Sequence, residues 1–237
     1  MSKQFDQYAE LYDELFSATN DYKKEVNFYD KILKKYDCNK ILEVGCGCGN
    51  RGKYFIRKHY QYVGSDISNS MLKIARRKYP TLRFIQSDAR KLKIKGSFDA
   101  ILFLGKGSTY LTTDSDVVST LKSMKRIMKK GIIIIDGFNA GFIIPNFKTK
   151  ISWSKRIGKK TIKRKSVNIL NQKNLYSWER MLTYIVEDNH KISKYYDKAI
   201  LRAFTAEEWR SLYAKAGIKK VDIMVTGDTI ISVGIII

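Results

Sequence analysis

Histidine is almost missing from this 237-residue chain, which has two, and cysteine is scarce, with three. Neither His59 nor His190 lies near the C-x-C pair Cys46 and Cys48. That is a poor zinc site, because structural zinc needs four convergent nitrogen and sulfur ligands. His59 ends a predicted helix and His190 lies on a predicted hairpin turn, so both read as structural or exposed. Cys38 completes an odd count with no framework spacing, and Cys46 and Cys48 are too close in a tight turn to bridge easily. No apolar run approaches the roughly 20 residues that cross a bilayer. The opening "MSKQFDQYAELYDELF" has no apolar signal core, so no membrane span and no export signal are read. These absences predict a cytoplasmic protein without a bound metal.

Acidic residues are also few: 23 Asp and Glu stand against 45 Lys and Arg, a net charge of +22. From residue 137 to residue 178 there is no acid at all, while ten lysines and arginines fall in that stretch. Elsewhere bases still outnumber acids, so the basicity is general with one concentrated segment. Such a surface attracts polyanions, whether nucleic acid, acidic membranes or phosphorylated small molecules. A merely solvated, lysine-rich surface is the plainer alternative.

What is present is globular. Hydrophobic residues make up 44% and aromatics 12%, enough for one domain with a sizeable core. Residues 5–16 and 21–37 carry helical spacing, with Asn20 or Asp21 as a cap. Short apolar runs at 40–44, 60–66, 82–88, 98–104 and 132–136 then alternate with amphipathic stretches at 50–59, 68–79 and 114–130. This rhythm predicts a parallel sheet covered on both faces. Past residue 136 the rhythm changes. Residues 159–204 alternate polar and apolar, predicting antiparallel strands with "EDNHK" (187–191) as a turn. "TAEEWRSLYAKAG" predicts a helix with Thr205 and Glu208 as a capping box and Gly217 as its stop, followed by a terminal strand pair. The expected organisation is lid helices and α/β core over 1–139, a β-rich covering insertion over 140–200, and a closing helix and hairpin over 201–237.

"ILEVGCGCGN" (41–50) can be read two ways. From Gly45 it is G-x-G-x-G behind Glu43, a methyl-donor spelling. From Gly47 it is G-x-G-x-x-G through Gly49 and Gly52, a dinucleotide spelling. A strand, a glycine turn and a helix N-terminus bring backbone N–H groups to a ligand in either case. Asp66, ending the second strand, can accept both hydroxyls of a ribose, which does not discriminate. Asp88, after the third strand, is placed to read an adenine amino group. Glu43, just before the first glycine, is placed to engage the amino-acid end of S-adenosylmethionine (SAM), for which a dinucleotide has no counterpart.

With "YVGSDISNSML", "FIQSDARKL", "FDAILFLGKGSTYL" and the terminal "LRAFTAEEWRSLYAKAGIKKVDIMVTGDTIISVGI", the chain resembles the class I SAM-dependent methyltransferases over nearly its whole length. The resemblance implies a Rossmann-like, mostly parallel seven-stranded sheet with its last strand antiparallel, an N-terminal helical lid and a β-rich insertion. It also implies SAM as cofactor and S-adenosylhomocysteine as product. Gly45, Cys46, Gly47 and Gly49 would wrap the methionine portion, and Ile67, Met71, Asp88 and Ala89 would surround the adenine. Leu104 would form the floor, with Tyr12 and Tyr22 closing over the cofactor. Cys48 stands where the family usually has Thr or Ser.

Absences also narrow the acceptor. "LGKGSTYL" has no proline, unlike the fourth motif of methyltransferases acting on exocyclic amino groups of bases. No cysteine sits where pyrimidine C5 chemistry needs one, and no double-glutamate loop follows the fourth strand. "YAELYDELFSATNDYKKE" and "GSTYL" resemble small-molecule methyltransferases, and in particular N-methyltransferases of nucleotide-linked amino sugars. On that resemblance Tyr110 would face the acceptor, and Tyr12 and Asp136 are the other catalytic candidates, Asp136 as proton acceptor. Arg156, Lys160, Arg164 and Arg202 are candidates to pair an anionic acceptor, with Trp153 or Trp178 stacking on a base. RNA is the second choice of acceptor and a SAM-binding scaffold the third reading. The expected state is monomer or homodimer.

Overall fold

A computed structural model describes residues 2–173, 176–189 and 191–237; His190 lies outside the described residues. Local signals set where the first elements begin. After a single 3-10 turn at Lys3–Phe5, α1 (Ala9–Thr19) is followed by α2 (Tyr22–Lys35), which starts where the Asp21 carboxylate accepts from Lys24 N–H. Then β1 (Lys40–Val44) leads through the glycine turn into α3 (Gly52–Arg57). Next come β2 (Gln61–Asp66) and α4 (Asn69–Lys78), the helix capped by the Ser68 hydroxyl on Met71 N–H. β3 (Arg83–Gln86), β4 (Ala100–Phe103), α5 (Asp114–Arg126) and β5 (Gly131–Asn139) complete the parallel part. Side-chain caps of this kind stabilise a helix by about 1 kcal/mol each and stop it sliding in register.

The strands are apolar throughout because helices cover both faces. Successive side chains on β5 point to opposite sides. Ile133 and Ile135 pack with Val117 and Leu121 of α5, while Ile132 and Ile134 pack with Val26, Leu33, Phe55 and Leu72 on the other face.

α6 (Ala140–Ile143) then leads to an antiparallel meander: β6 (Lys150–Ile157), β7 (Lys160–Leu170), β8 (Ser177–Asp188) and β9 (Lys191–Phe204). Its last residues join the core, since Phe138 and Asn139 of β5 pair in parallel with Ala203 and Phe204 of β9. One continuous sheet therefore carries both parts, and the boundary expected at 200 falls inside β9. β6 was not expected from sequence. Its residues are nearly all exposed, so no apolar period marks it. α7 (Ala206–Lys215) begins at the expected Thr205–Glu208 capping box, and β10 (Lys220–Thr226) and β11 (Thr229–Ile236) close the sheet. β11 is antiparallel to β5 and to β10, which gives the core order β3-β2-β1-β4-β5-β11-β10 with β11, the last strand in the chain, reversed.

α1 is wedged between the two parts. Its Leu15 is buried with Ile162, Leu182 and Tyr184 of the meander. On its other side Asp13 accepts from Lys78 Nζ of α4 at 2.7 Å. Among the described residues no helix is long and apolar enough to cross a membrane.

Candidate active site

The glycine turn after β1 forms one wall of a cavity of ≈ 500 Å³. Gly45 and Gly47 both have positive φ, +66° and +53°, a conformation that costs any other residue strain. At Gly45 a β-carbon would also stand 2.7 Å from the Phe103 ring. At Gly47 there is no atom within 4 Å of that position, so the turn leaves an open cradle with its backbone exposed to a ligand. Gly45, Cys46, Gly47 and Cys48 line the cavity; Gly49 does not and packs instead against Phe84. Gly52 has a packing role too: a β-carbon there would meet Tyr62 at 2.7 Å. The second spelling of the motif thus reflects close helix-strand packing.

Asp66 lines the cavity beside the cradle. Its two oxygens accept from Gly47 N–H and Ser68 N–H, each at 2.8 Å. Burial raises its pKa above the ordinary carboxylate value, and these N–H donors oppose that rise. Held in this way, the carboxylate keeps further lone pairs for a diol. Ile67, Met71 and Ala89 line the same end, and Leu104 lines the floor. Asp88 also borders the cavity, but its carboxylate is engaged by Arg90, whose Nη2 is 2.7 Å away. The Cys48 thiol lies 3.2 Å from the Met71 sulfur. Burial pushes the pKa of that thiol far up, so it stays protonated and makes only a weak donor.

Glu43 is not on the cavity wall. It is fully buried behind the turn, taken by Tyr62 Oη at 2.6 Å and Arg51 Nη1 at 3.2 Å. The residue that faces the cavity at this end is Arg51, the guanidinium of which also pairs with Glu25 at 2.8 Å and lies 5.3 Å from the Tyr22 ring centre. A cation there suits a ligand carboxylate better than a buried glutamate does. The sequence held one signal for it: an arginine at the start of the helix that follows the glycine turn.

Asp136 is also away from the wall. Its carboxylate accepts from Lys106 N–H at 2.6 Å, Gly105 N–H at 3.0 Å and Tyr29 Oη at 3.0 Å. It ties down the turn after β4 away from the cavity wall, so its geometry is that of a fastener and not of a proton acceptor.

The lid expectation placed Tyr12 and Tyr22 over the cavity, and both line it. Phe5 stands edge-on to Tyr12 at 5.3 Å and to Tyr110 at 5.2 Å. Tyr110, in the turn before α5, lines the opposite end. Its hydroxyl accepts from Gln4 Nε2 at 2.8 Å and Arg180 Nη2 at 3.1 Å. Ser2 Oγ and Lys3 N–H donate to Asp197 of β9 at 2.6 and 2.7 Å, which straps the N-terminal residues across this end.

The six acceptor candidates of the meander are scattered. Trp153 packs near the lid with the Arg164 guanidinium 5.8 Å from its ring centre, and Arg156 is exposed. Lys160 pairs with Glu14 of α1. Trp178 is buried between Phe138 and Phe147. Arg202 is buried and committed to Asp114 and Glu208 at 2.8 and 2.9 Å. It fastens β9 to α5 and α7, which removes it from acceptor binding. Arg180 escaped the sequence reading, although it shares the alternation of Trp178, Leu182 and Tyr184 and so had to face inward. Among the described residues no cluster of three or more His, Cys, Asp or Glu could hold a metal.

Residues 41–131 match a protein family described as "Methyltransferase domain". A "Putative methyltransferase YqeM" of Bacillus subtilis is 31% identical over 139 residues, covering 54% of this chain and 53% of the relative. The chain thus spans about half the length of that relative. A "dTDP-4-amino-2,3,4,6-tetradeoxy-D-glucose N,N-dimethyltransferase" of Saccharopolyspora spinosa is 24% identical over 227 residues, covering 90% of this chain and 85% of the relative. The fold superposes on the crystal structure of DesVI from Streptomyces venezuelae with a TM-score of 0.84 at 19% identity, over 96% of this chain and 97% of that one. The cradle, the Asp66 carboxylate beside it and the strand order agree with these likenesses, and residues 41–131 are those of a methyltransferase domain.

Proposed function

We propose that the protein moves a methyl group from SAM to the nitrogen of a small anionic amine, of the nucleotide-linked amino-sugar type. One observation carries the reading: a single cavity runs from the Gly45–Cys48 turn and Asp66 to Tyr110 beneath the N-terminal lid. A donor at one end and an acceptor at the other would be in line, and proximity of that kind supplies much of the catalysis in displacement reactions. SAM, when bound, supplies the electrophilic methyl on its sulfonium. Asp66 accepts the ribose hydroxyls, Arg51 pairs the carboxylate, and Ile67, Met71 and Ala89 flank the adenine. Tyr12 and Tyr22 exclude water. Tyr110, its hydroxyl set by Gln4 and Arg180, orients the acceptor.

An ammonium has no lone pair to attack with, so the amine must lose its proton first. The carboxylates on the cavity wall, Asp66 and Asp88, stand at the nucleoside end, and no histidine joins them among the described lining residues. Solvent is then the proton acceptor. The Saccharopolyspora relative supports the acceptor class, because its likeness continues through the meander.

Purified protein incubated with methyl-labelled SAM and a nucleotide-linked amino sugar, glycine or bulk tRNA tests this. Transfer to the amino sugar alone is expected. Transfer to tRNA, with affinity that falls steeply in a log–log salt plot, would overturn it in favour of an RNA acceptor.

A further inference from the structure

β3 runs into a short turn, Ala89–Lys91, and Asp88, Ala89 and Arg90 all border the main cavity. Arg90 lies there between two carboxylates. Its Nε stands 3.1 Å from Asp88 Oδ1 and its Nη2 2.7 Å from Asp88 Oδ2, while Nη1 stands 3.1 Å from Asp116 Oδ1. Asp116 is itself held, since its other oxygen accepts from the Thr113 hydroxyl at 3.1 Å. It belongs to the first turn of α5, and the same helix grips the segment twice more. Ser123 Oγ accepts from Leu92 N–H at 2.7 Å, and Arg126 Nη2 donates to the Leu92 carbonyl at 3.0 Å.

Stability does not account for this bridge. The Asp88 and Arg90 side chains are 30% and 43% exposed, and pairs at the surface contribute little to folding. What the bridge does set is the direction of a carboxylate. An ionised carboxyl has about four lone-pair sites. At Asp88 the Arg90 backbone N–H, at 2.9 Å, and the Nε and Nη2 donors of its side chain occupy three of them. The site left over belongs to a group that borders the cavity with Ile67, Met71 and Ala89. Hydrogen bonds from Arg90 hold the Asp88 carboxyl below its ordinary pKa, so it stays an acceptor at neutral pH.

We infer that Arg90 is a positioning residue for cofactor recognition: anchored on Asp116 of α5, it turns the Asp88 carboxylate to accept the exocyclic amino group of adenine. The inference rests on the adenine placement proposed above and adds the residues that make it selective. Adenine presents an amino donor at that edge. Hypoxanthine presents a carbonyl oxygen in the same place, which a fixed carboxylate repels. A site built to pair an N–H group rejects an analogue that lacks it. An Asp88 side chain free to rotate would turn away from the oxygen and lose the distinction. Arg90 itself, committed to Asp88 and Asp116, is not the reader of the base.

Calorimetry on the full chain tests this with S-adenosylhomocysteine and its hypoxanthine analogue, S-inosylhomocysteine. The wild type is expected to bind the adenine form at least tenfold more tightly. Asp88→Asn should lose that preference, because an amide can offer its own N–H to the carbonyl. Arg90→Ala should shrink the preference at least threefold, and Arg90→Lys, which keeps the charge without the fork, should restore only part of it. Asp116→Asn should fall between the wild type and Arg90→Ala. In the Asp88→Asn background, Arg90→Ala should change the preference no further, as expected of two residues acting as one unit. An unchanged preference in Arg90→Ala would overturn the inference whatever happens to the separate affinities, since a purely structural role moves both ligands together. A wild type that binds both ligands equally would also overturn it and leave methyl-donor binding standing. A wild type that binds neither would overturn the adenine placement together with the inference built on it.

Discussion

Arg51 Nη1 lies 3.2 Å from Glu43 Oε1 in a pair with the carboxylate wholly buried and the guanidinium facing the cavity. Burial raises the Glu43 pKa, against the pull of Arg51 and the Tyr62 hydrogen bond. Glu43 therefore acts on the cavity through Arg51, the cation that it fixes on the wall. Removing one member of a buried pair strands the other, at a cost of about 3–5 kcal/mol. Glu43→Ala is expected to lower stability by that order in urea melts and to weaken S-adenosylhomocysteine binding. Glu43→Gln, which keeps a partner for Tyr62, should lose less of both. A Glu43→Ala protein as stable as the wild type would refute the role.

Asp66→Ala should leave the fold intact by circular dichroism and weaken S-adenosylhomocysteine strongly. Hydrogen bonds to a charged group contribute about 1.5–3 kcal/mol each. Losing two to a diol predicts a Kd higher by roughly 100-fold or more. Because burial raises the Asp66 pKa, the wild-type carboxylate takes up its proton at a higher pH than an ordinary aspartate. Affinity should accordingly begin to fall on acidification before the ordinary carboxylate range is reached. Calorimetry at stepped pH checks both points, and equal affinity for the two proteins would contradict the assignment.

Much of this was legible in the residues themselves. β1, β7, β9 and the Thr205 capping box follow from apolar period and cap chemistry, which act over a few residues and leave a trace in sequence. Glu43, Asp136 and Arg202 did not, because a charged residue at a strand end looks the same whether it meets a ligand or a buried partner. What separates the cases is the neighbour across the fold: Arg51 for Glu43, the Gly105 and Lys106 amides for Asp136, Asp114 and Glu208 for Arg202. β6 was missed for a different reason. An edge strand exposed on both faces has no buried period to read.

The lid is fastened by a charge that acid removes. Burial works to raise the Asp13 pKa, but hydrogen bonds from Lys78, Asn50 and Ser17 bring it below the ordinary value. A carboxylate depressed in the folded state contributes stability that is full above its unfolded pKa, about 3.9, and is lost as pH falls through the folded value. Hydrogen exchange should therefore show α1 opening selectively below about pH 4, ahead of α5 and α7. Asp13→Asn should mimic this at neutral pH, with α1 amides exchanging roughly tenfold faster, the equivalent of about 1.4 kcal/mol. Uniform opening of all helices would mean that Asp13–Lys78 is no local latch.

Tyr110 separates positioning from binding. Its hydroxyl is the shared acceptor for Gln4 of the N-terminal strap and Arg180 of the meander, so it joins three segments that meet at this end of the cavity. Burial raises its pKa, against the pull of Arg180, and it remains a phenol at neutral pH. Tyr110→Phe keeps the ring against Phe5 but leaves both donors without their acceptor. The glycine-turn end of the cavity is untouched, so S-adenosylhomocysteine affinity should stay within twofold. Turnover with an amine acceptor should fall by about 10- to 100-fold, the range of one hydrogen bond to a charged group. Gln4→Leu, which removes only the strap donor and leaves Arg180 on the hydroxyl, should lose less. If Tyr110→Phe instead weakens S-adenosylhomocysteine and spares turnover, the hydroxyl serves lid closure alone and the acceptor is oriented elsewhere.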